Sequence, residues 1–148
     1  MKKILLAIGL VVLVPFASAA EPFCKTNSIH PIDAQLEREM NASGGVTEHM
    51  RNAQNRAYEQ WDRELNIVYK ELMGHLSAEE KDSLRKAQKA WLVFRDAETE
   101  FFWSESISGG GTLQPITVSG YSLDLVKTRV CQLSNFIPAD GDGGWSVE

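Results

Sequence analysis

The sequence predicts an all-α protein, an antiparallel helical hairpin within a three- to four-helix bundle. Three observations lead there. Apolar residues recur every three or four positions through Val46, Met50, Ala53, Ala57, Trp61, Leu65, Val68 and Leu72, which is the period of a long amphipathic helix. A second run of similar spacing, Leu84, Ala87, Trp91, Phe94 and Phe101, follows after a link of only a few residues, so the two helices must fold back on each other. About 128 residues remain once the first twenty are set aside, enough for one hydrophobic core.

Those first twenty residues read as a secretory signal peptide. "MKK" is a basic start, "ILLAIGLVVLVPFA" an apolar run, and "ASAAE" offers small residues for cleavage after Ala19 or Ala20. The apolar run is short for a membrane span, which needs roughly 20 such residues, and no later segment approaches that length. The expected organisation is a signal peptide over 1–20, a helical domain over 21–137 and a disordered, acidic, Gly-rich tail over 138–148. The expected location is the periplasm or the medium.

Within the domain, Pro31 suits a first helical turn, and Ile32, Leu36 and Met40 make a short apolar stripe that ends before Gly44–Gly45. The long helix from Val46 is expected to close at Gly74 in a left-handed conformation. Ser77 and Glu80 have the spacing of a capping box for the second arm. "SESISGGGTLQPITVSG", residues 104–120, reads as a long loop. A last helix is expected from about Ser122 to Phe136, with Leu125 or Val126, Val130, Leu133 and Phe136 on one stripe. In the tail, "DGDGG" lacks the ligand spacing of a calcium loop.

Removing Lys2 and Lys3 with the signal peptide takes the formal charge from −5 to −7. That argues against nucleic acid and anionic lipid and favours a basic partner. Cys24 and Cys131 would sit in an oxidising compartment, where a disulfide is the leading reading and two free thiols the alternative. His30, His49 and His75 are scattered and make no metal-ligand spacing. No nucleophile motif, metal motif or phosphate loop is present. The expectation is a protein without catalytic residues, metal or cofactor.

Polar groups among the hairpin's apolar ones carry the remaining information. Asp62, Asn66 and Tyr69 share one face of the first arm, and Gln88, Trp91 and Arg95 share one face of the second. Folding at Gly74–Ser77 sets Asp62 level with Gln88 and Lys89. Two readings stand. In one, Asp62, Asn66, Tyr69 and Gln88, joined by Arg129 from the last helix, form a hydrogen-bonded seam that fixes helix register. In the other, Trp91, Arg95 and Asp96 line a binding groove.

The order Leu65-Asn66-x-x-Tyr69, then Leu84-x-x-x-Gln88-x-x-Trp91-x-x-x-Arg95-Asp96-Ala97, then a Gly-rich loop and Arg129-x-x-x-Leu133, resembles the lysozyme inhibitor LprI-like N-terminal domain family. The resemblance covers residues 46–133. It implies an exported helical protein that inhibits lysozyme, a basic enzyme with an acidic cleft. Charge would steer the encounter, and the loop at 104–119, with Gly109, Gly110 and Gly111 allowing close approach, would enter the cleft. The chain departs from the family pattern where cysteines are usual: those places read Thr99, Tyr121 and Ala53. The departure implies a different disulfide framework and a less restrained loop.

Overall fold

The computed structural model describes Cys24 and residues 29–138, and among these are five helices and no strand. Residues 1–20 and 139–148, expected as signal peptide and tail, lie outside the described residues. Helix α1 spans Pro31–Ala42. Pro31 sits in the first turn, where its missing N–H costs nothing. His30 Nδ1 accepts the Ile32 N–H at 3.3 Å. Buried Ser43 ends the helix: its Oγ donates to the Met40 carbonyl at 2.6 Å and accepts the Gly45 N–H at 3.2 Å. Gly44 and Gly45, at φ +60° and +80°, then reverse the chain.

Helix α2 spans Thr47–His75. It does not close at a left-handed Gly74; it runs past Gly74, and the chain leaves through Leu76 in an extended conformation. The reason lies in Leu76 and Ser77. Leu76 packs against the core, and Ser77 immediately caps helix α3, Ala78–Phe102. The capping box is present: the Ser77 N–H donates to Glu80 Oε2 at 2.8 Å and the Glu80 N–H to Ser77 Oγ at 3.4 Å. Hydrogen bonds from the Ser77 side chain and then from its backbone N–H hold the Glu80 carboxyl below the usual carboxylate range.

The stretch expected as one loop holds a short helix, α4, Glu105–Ser108, and the start of α5, Gln114–Ser134. Helix α5 therefore begins well before Ser122. Pro115 fits its first turn. Gly120 lies inside the helix, where an added Cβ would stand 3.7 Å from Gln54 Nε2 of α2. Phe136 falls beyond the helix and is half exposed, so the buried stripe of α5 is Leu123, Val126, Val130 and Leu133.

Side-chain pairs fix the topology. Gly120 lies against Gln54, and Lys127 lies over the Trp61 ring, so α5 runs parallel to α2. Helix α1 runs antiparallel to α2, with Arg56 paired to Glu39 and Trp61 to Asp33. Helix α3 runs antiparallel to α5, with Arg129 bonded to Gln88 and Thr99 facing Ser122. The α2–α5 pair is the centre of the molecule, α1 covers one flank and α3 the other. Ala57, Trp61, Leu65, Val68 and Leu72 of α2 meet the α5 stripe to form the core. Cys24 and Cys131, 107 residues apart, form a disulfide that ties the N-terminal segment to α5.

Helix α3 differs most from expectation. None of its residues is fully buried. Leu84 and Trp91 turn inward as expected, but Phe94 and Phe101 are half exposed. The inward face is rotated by about one residue, so that Gln88 and Arg95 point in with Trp91. The hairpin arms are joined by Leu76 and Ser77, yet α3 leans on α5 and meets α2 through long side chains.

Candidate functional site

Trp91 is the centre of the polar flank. The Arg95 guanidinium lies 5.6 Å from its ring centroid and the Arg129 guanidinium 5.8 Å, both within the range of attraction between a cation and an aromatic face. Helix α3 supplies Trp91 and Arg95 four residues apart on one face, and α5 supplies Arg129 from the side.

The two arginines differ in their partners. Arg95 Nε and Nη2 donate to Asp96 Oδ1 at 3.0 and 2.9 Å, and Nη1 lies 3.8 Å from Asp62 Oδ1 across the gap to α2. Arg129 Nε donates to Gln88 Oε1 at 3.0 Å and Nη1 to Gln132 Oε1 at 3.3 Å. Its described partners are neutral amides, and desolvation pushes its pKa below the ordinary guanidinium value. Partly buried Tyr58 stands beside this group. Its hydroxyl is pushed up by burial, drawn back by Arg95 and raised again by Asp62 and Asp96.

Asp62 therefore meets Arg95 rather than Gln88 or Lys89. Side chains on a helix lean toward its N-terminus, so tip-to-tip contacts in an antiparallel pair join residues further along each helix than backbone level suggests. Asn66 Nδ2 donates to the Asp62 carbonyl at 2.7 Å and approaches Asp62 Oδ2 at 3.4 Å, a contact within α2. Tyr69 packs on the core below. Gln88, Trp91, Arg95, Asp96, Arg129 and Asp62 thus come together, while Asn66 and Tyr69 stay on α2.

Gly109, Gly110 and Gly111 lie elsewhere, at the end where α3 gives way to α5. All three have positive φ, +80°, +52° and +71°, which favours glycine at each place. The turn is more restrained than the missing cysteines imply. Gln114 Nε2 donates to the Trp103 carbonyl at 2.8 Å and to Ser108 Oγ at 3.1 Å. The Gly109 N–H donates to the Glu105 carbonyl at 2.8 Å. One glutamine amide thus bridges the two sides of the turn. Exposed Trp103, Ile107 and Leu113 flank it.

Sequence reasoning missed one constellation. Asp33 accepts the Trp61 indole N–H at 3.0 Å and pairs with Lys127 at 2.8 Å, while the His30 ring lies 4.4 Å from that of Trp61. This carboxylate joins α1 to both central helices. The only signal in the sequence was an acid in the first turn of a helix, which ordinarily marks a favourable dipole contact. A shallow open hollow between α1 and α2 is lined by Glu39, Ser43, His49 and Arg56 and holds none of the expected site residues. Among the described residues, no group of three or more His, Cys, Asp or Glu side chains is placed to hold a metal ion, and no helix is long and apolar enough to cross a membrane.

An uncharacterised protein of Rhizobium meliloti (strain 1021) is 29% identical over 93 residues, 54% of this chain and 66% of that relative's length. No solved structure matches. The model of the family described as "Lysozyme inhibitor LprI" matches residues 38–133, from within α1 to the last turn of α5. The matched span holds both the Trp91 cluster and the Gly109–Gly111 turn, and the chain belongs to the LprI lysozyme inhibitor family.

Proposed function

We propose that this is an exported, non-enzymatic inhibitor of lysozyme that works by occlusion. The carrying observation is the braced turn at Gly109–Gly111. A plug for an enzyme cleft must protrude, approach closely and lose little freedom on binding. Three consecutive glycines leave no side chain in the way of close approach, and the Gln114 bridges restrain the turn beforehand. Trp103, Ile107 and Leu113 offer apolar area around it. The net charge of −7 left after removal of residues 1–20 would steer a basic enzyme toward the protein.

Titration of purified protein in a cell-wall lysis assay against chicken-, goose- and invertebrate-type lysozymes tests this. Near-stoichiometric inhibition, weakened by salt and by Gly110→Val, is the expected result. No inhibition of any type at large excess would refute it. The second reading is a periplasmic protein- or ligand-binding module, favoured by the two guanidiniums on Trp91. It requires Arg129→Ala to remove binding without lowering stability.

A further inference from the structure

Helix α3 carries its apolar excess on the outside. Val93 is 67% exposed, Phe94 49% and Phe101 52%. Ser83, Ala87, Ala90, Phe94, Ala97 and Phe101 alternate steps of four and three, and all six are exposed. This is the spacing of a coiled-coil seam, and no helix among the described residues covers it.

We propose that this face docks a second copy of the chain, the two α3 helices packing antiparallel about a two-fold axis. Two features select this occupant. The first is shape. In the antiparallel register centred near Leu92, Phe94 of one copy lies against Ala90 of the other, and Phe101 against Ser83. Each large residue then meets a small one, as interdigitating layers require.

The second feature is charge. Lys86, Val93 and Glu100 lie along one edge of the seam, seven residues apart, and all are exposed. The register set by the Phe–Ala layers brings Val93 opposite Val93 of the second copy. It also sets Lys86 of each copy opposite Glu100 of the other, giving two symmetry-related ion pairs. A parallel pairing would set this edge against the opposite edge of the second helix, Lys86 toward Trp91 and Val93 toward Glu98, and would form neither ion pair. The edge charges therefore specify orientation as well as contact, the role such positions play in coiled coils.

Sedimentation of the purified chain from Glu21 onward, over a range of concentrations, tests the proposal. A reversible monomer–dimer equilibrium is expected. Phe94→Glu should raise the dissociation constant by more than about 100-fold, since each dimer loses two apolar knobs. Lys86→Glu and Glu100→Lys, which oppose like charges twice per dimer, should each raise it about ten-fold, and the double variant should restore it to within about three-fold. Val93→Cys should cross-link into dimers with a short bismaleimide. All four positions are exposed, and circular dichroism will show whether each variant keeps its fold. A protein monomeric at every concentration would overturn the proposal. So would a dimer indifferent to Phe94→Glu, or a double variant no better than the singles. The lysis assay is scored separately: a monomer whose inhibition is lost in Phe94→Glu would assign the face to lysozyme and overturn the second copy as its occupant.

Discussion

Arg95→Ala and Arg129→Ala ask whether the Trp91 cluster is seam or site, and the geometry sets the sizes of their effects. Arg95 loses a hydrogen-bonded pair with Asp96, whose side chain is 70% exposed, and a 3.8 Å approach to Asp62, 41% exposed. Each is a surface ion pair worth only a few tenths of a kcal/mol (~0.3). The contact with Trp91 adds about 0.5–1 kcal/mol, and the aliphatic stem, with the side chain only 20% exposed, adds packing of similar size. The expected cost of Arg95→Ala is about 1–2 kcal/mol. Arg129→Ala should cost more, about 2–3 kcal/mol, because its bond to the Gln88 carbonyl is charge-assisted and its removal leaves that oxygen without its donor. In a domain of this size, 1 kcal/mol corresponds to about 4 °C in Tm. Urea unfolding with a common slope gives both values. The double variant should cost less than the sum, because the two guanidiniums share one ring. Destabilisation below about 0.3 kcal/mol for both variants, joined to loss of binding to lysozyme or another partner, would refute the seam and make the cluster a site.

Other perturbations test other parts of the fold. Reduction of Cys24–Cys131 should lower stability by about 3–5 kcal/mol, given the length of chain it closes, and an unchanged Tm in reductant would contradict the bond's role. Ser77→Ala should cost about 1 kcal/mol by removing the cap of α3, read as a loss of helicity at sub-denaturing urea. Glu39 is held below the usual carboxylate range by hydrogen bonds from Arg56 and then Gln35, and Glu80 by those of Ser77. A carboxyl depressed in the fold stabilises fully above its unfolded value, about 4.3, and loses that contribution as pH falls through the lower folded value. Tm should therefore drop as the solution is acidified below about pH 5, and Glu39→Gln with Glu80→Gln should flatten the drop. Gly110→Ala should cost about 1 kcal/mol from its positive φ, checked by calorimetry.

Much of this fold was legible in the sequence because periodicity is local. The stripe from Ala53 to Leu72 stands in the core residue for residue. The capping box at Ser77 and Glu80 and the stop at Ser43–Gly45 depend on neighbours within a few positions, so residue types alone identify them. Contacts between helices were harder to read. The phase of α3 is set by Arg129 and Ser122 of α5, which draw Gln88 and Thr99 inward and leave Phe94 outside. A hydrophobic count assigns Phe94 to the interior because it knows nothing of those partners. The early start of α5 was obscured by Pro115 and Gly120, which read as breakers until the first turn and the close approach of Gln54 account for them. Asp33 illustrates the same gap: its two partners are on different helices, and one lies far along the chain.

The parallel course of α2 and α5 sets an order for folding during vectorial synthesis. A chain emerging N-terminus first produces α1, α2 and α3 before the stripe that buries α2. Until Leu123 to Leu133 arrive, Trp61, Leu65 and Leu72 have no core to enter. The disulfide waits as well, because Cys131 follows nearly all of that stripe. Long-range pairing of this kind delays collapse and leaves apolar surface exposed meanwhile. The same step that delivers α5 then completes the core and brings Cys131 to Cys24, so that packing and covalent closure arrive together.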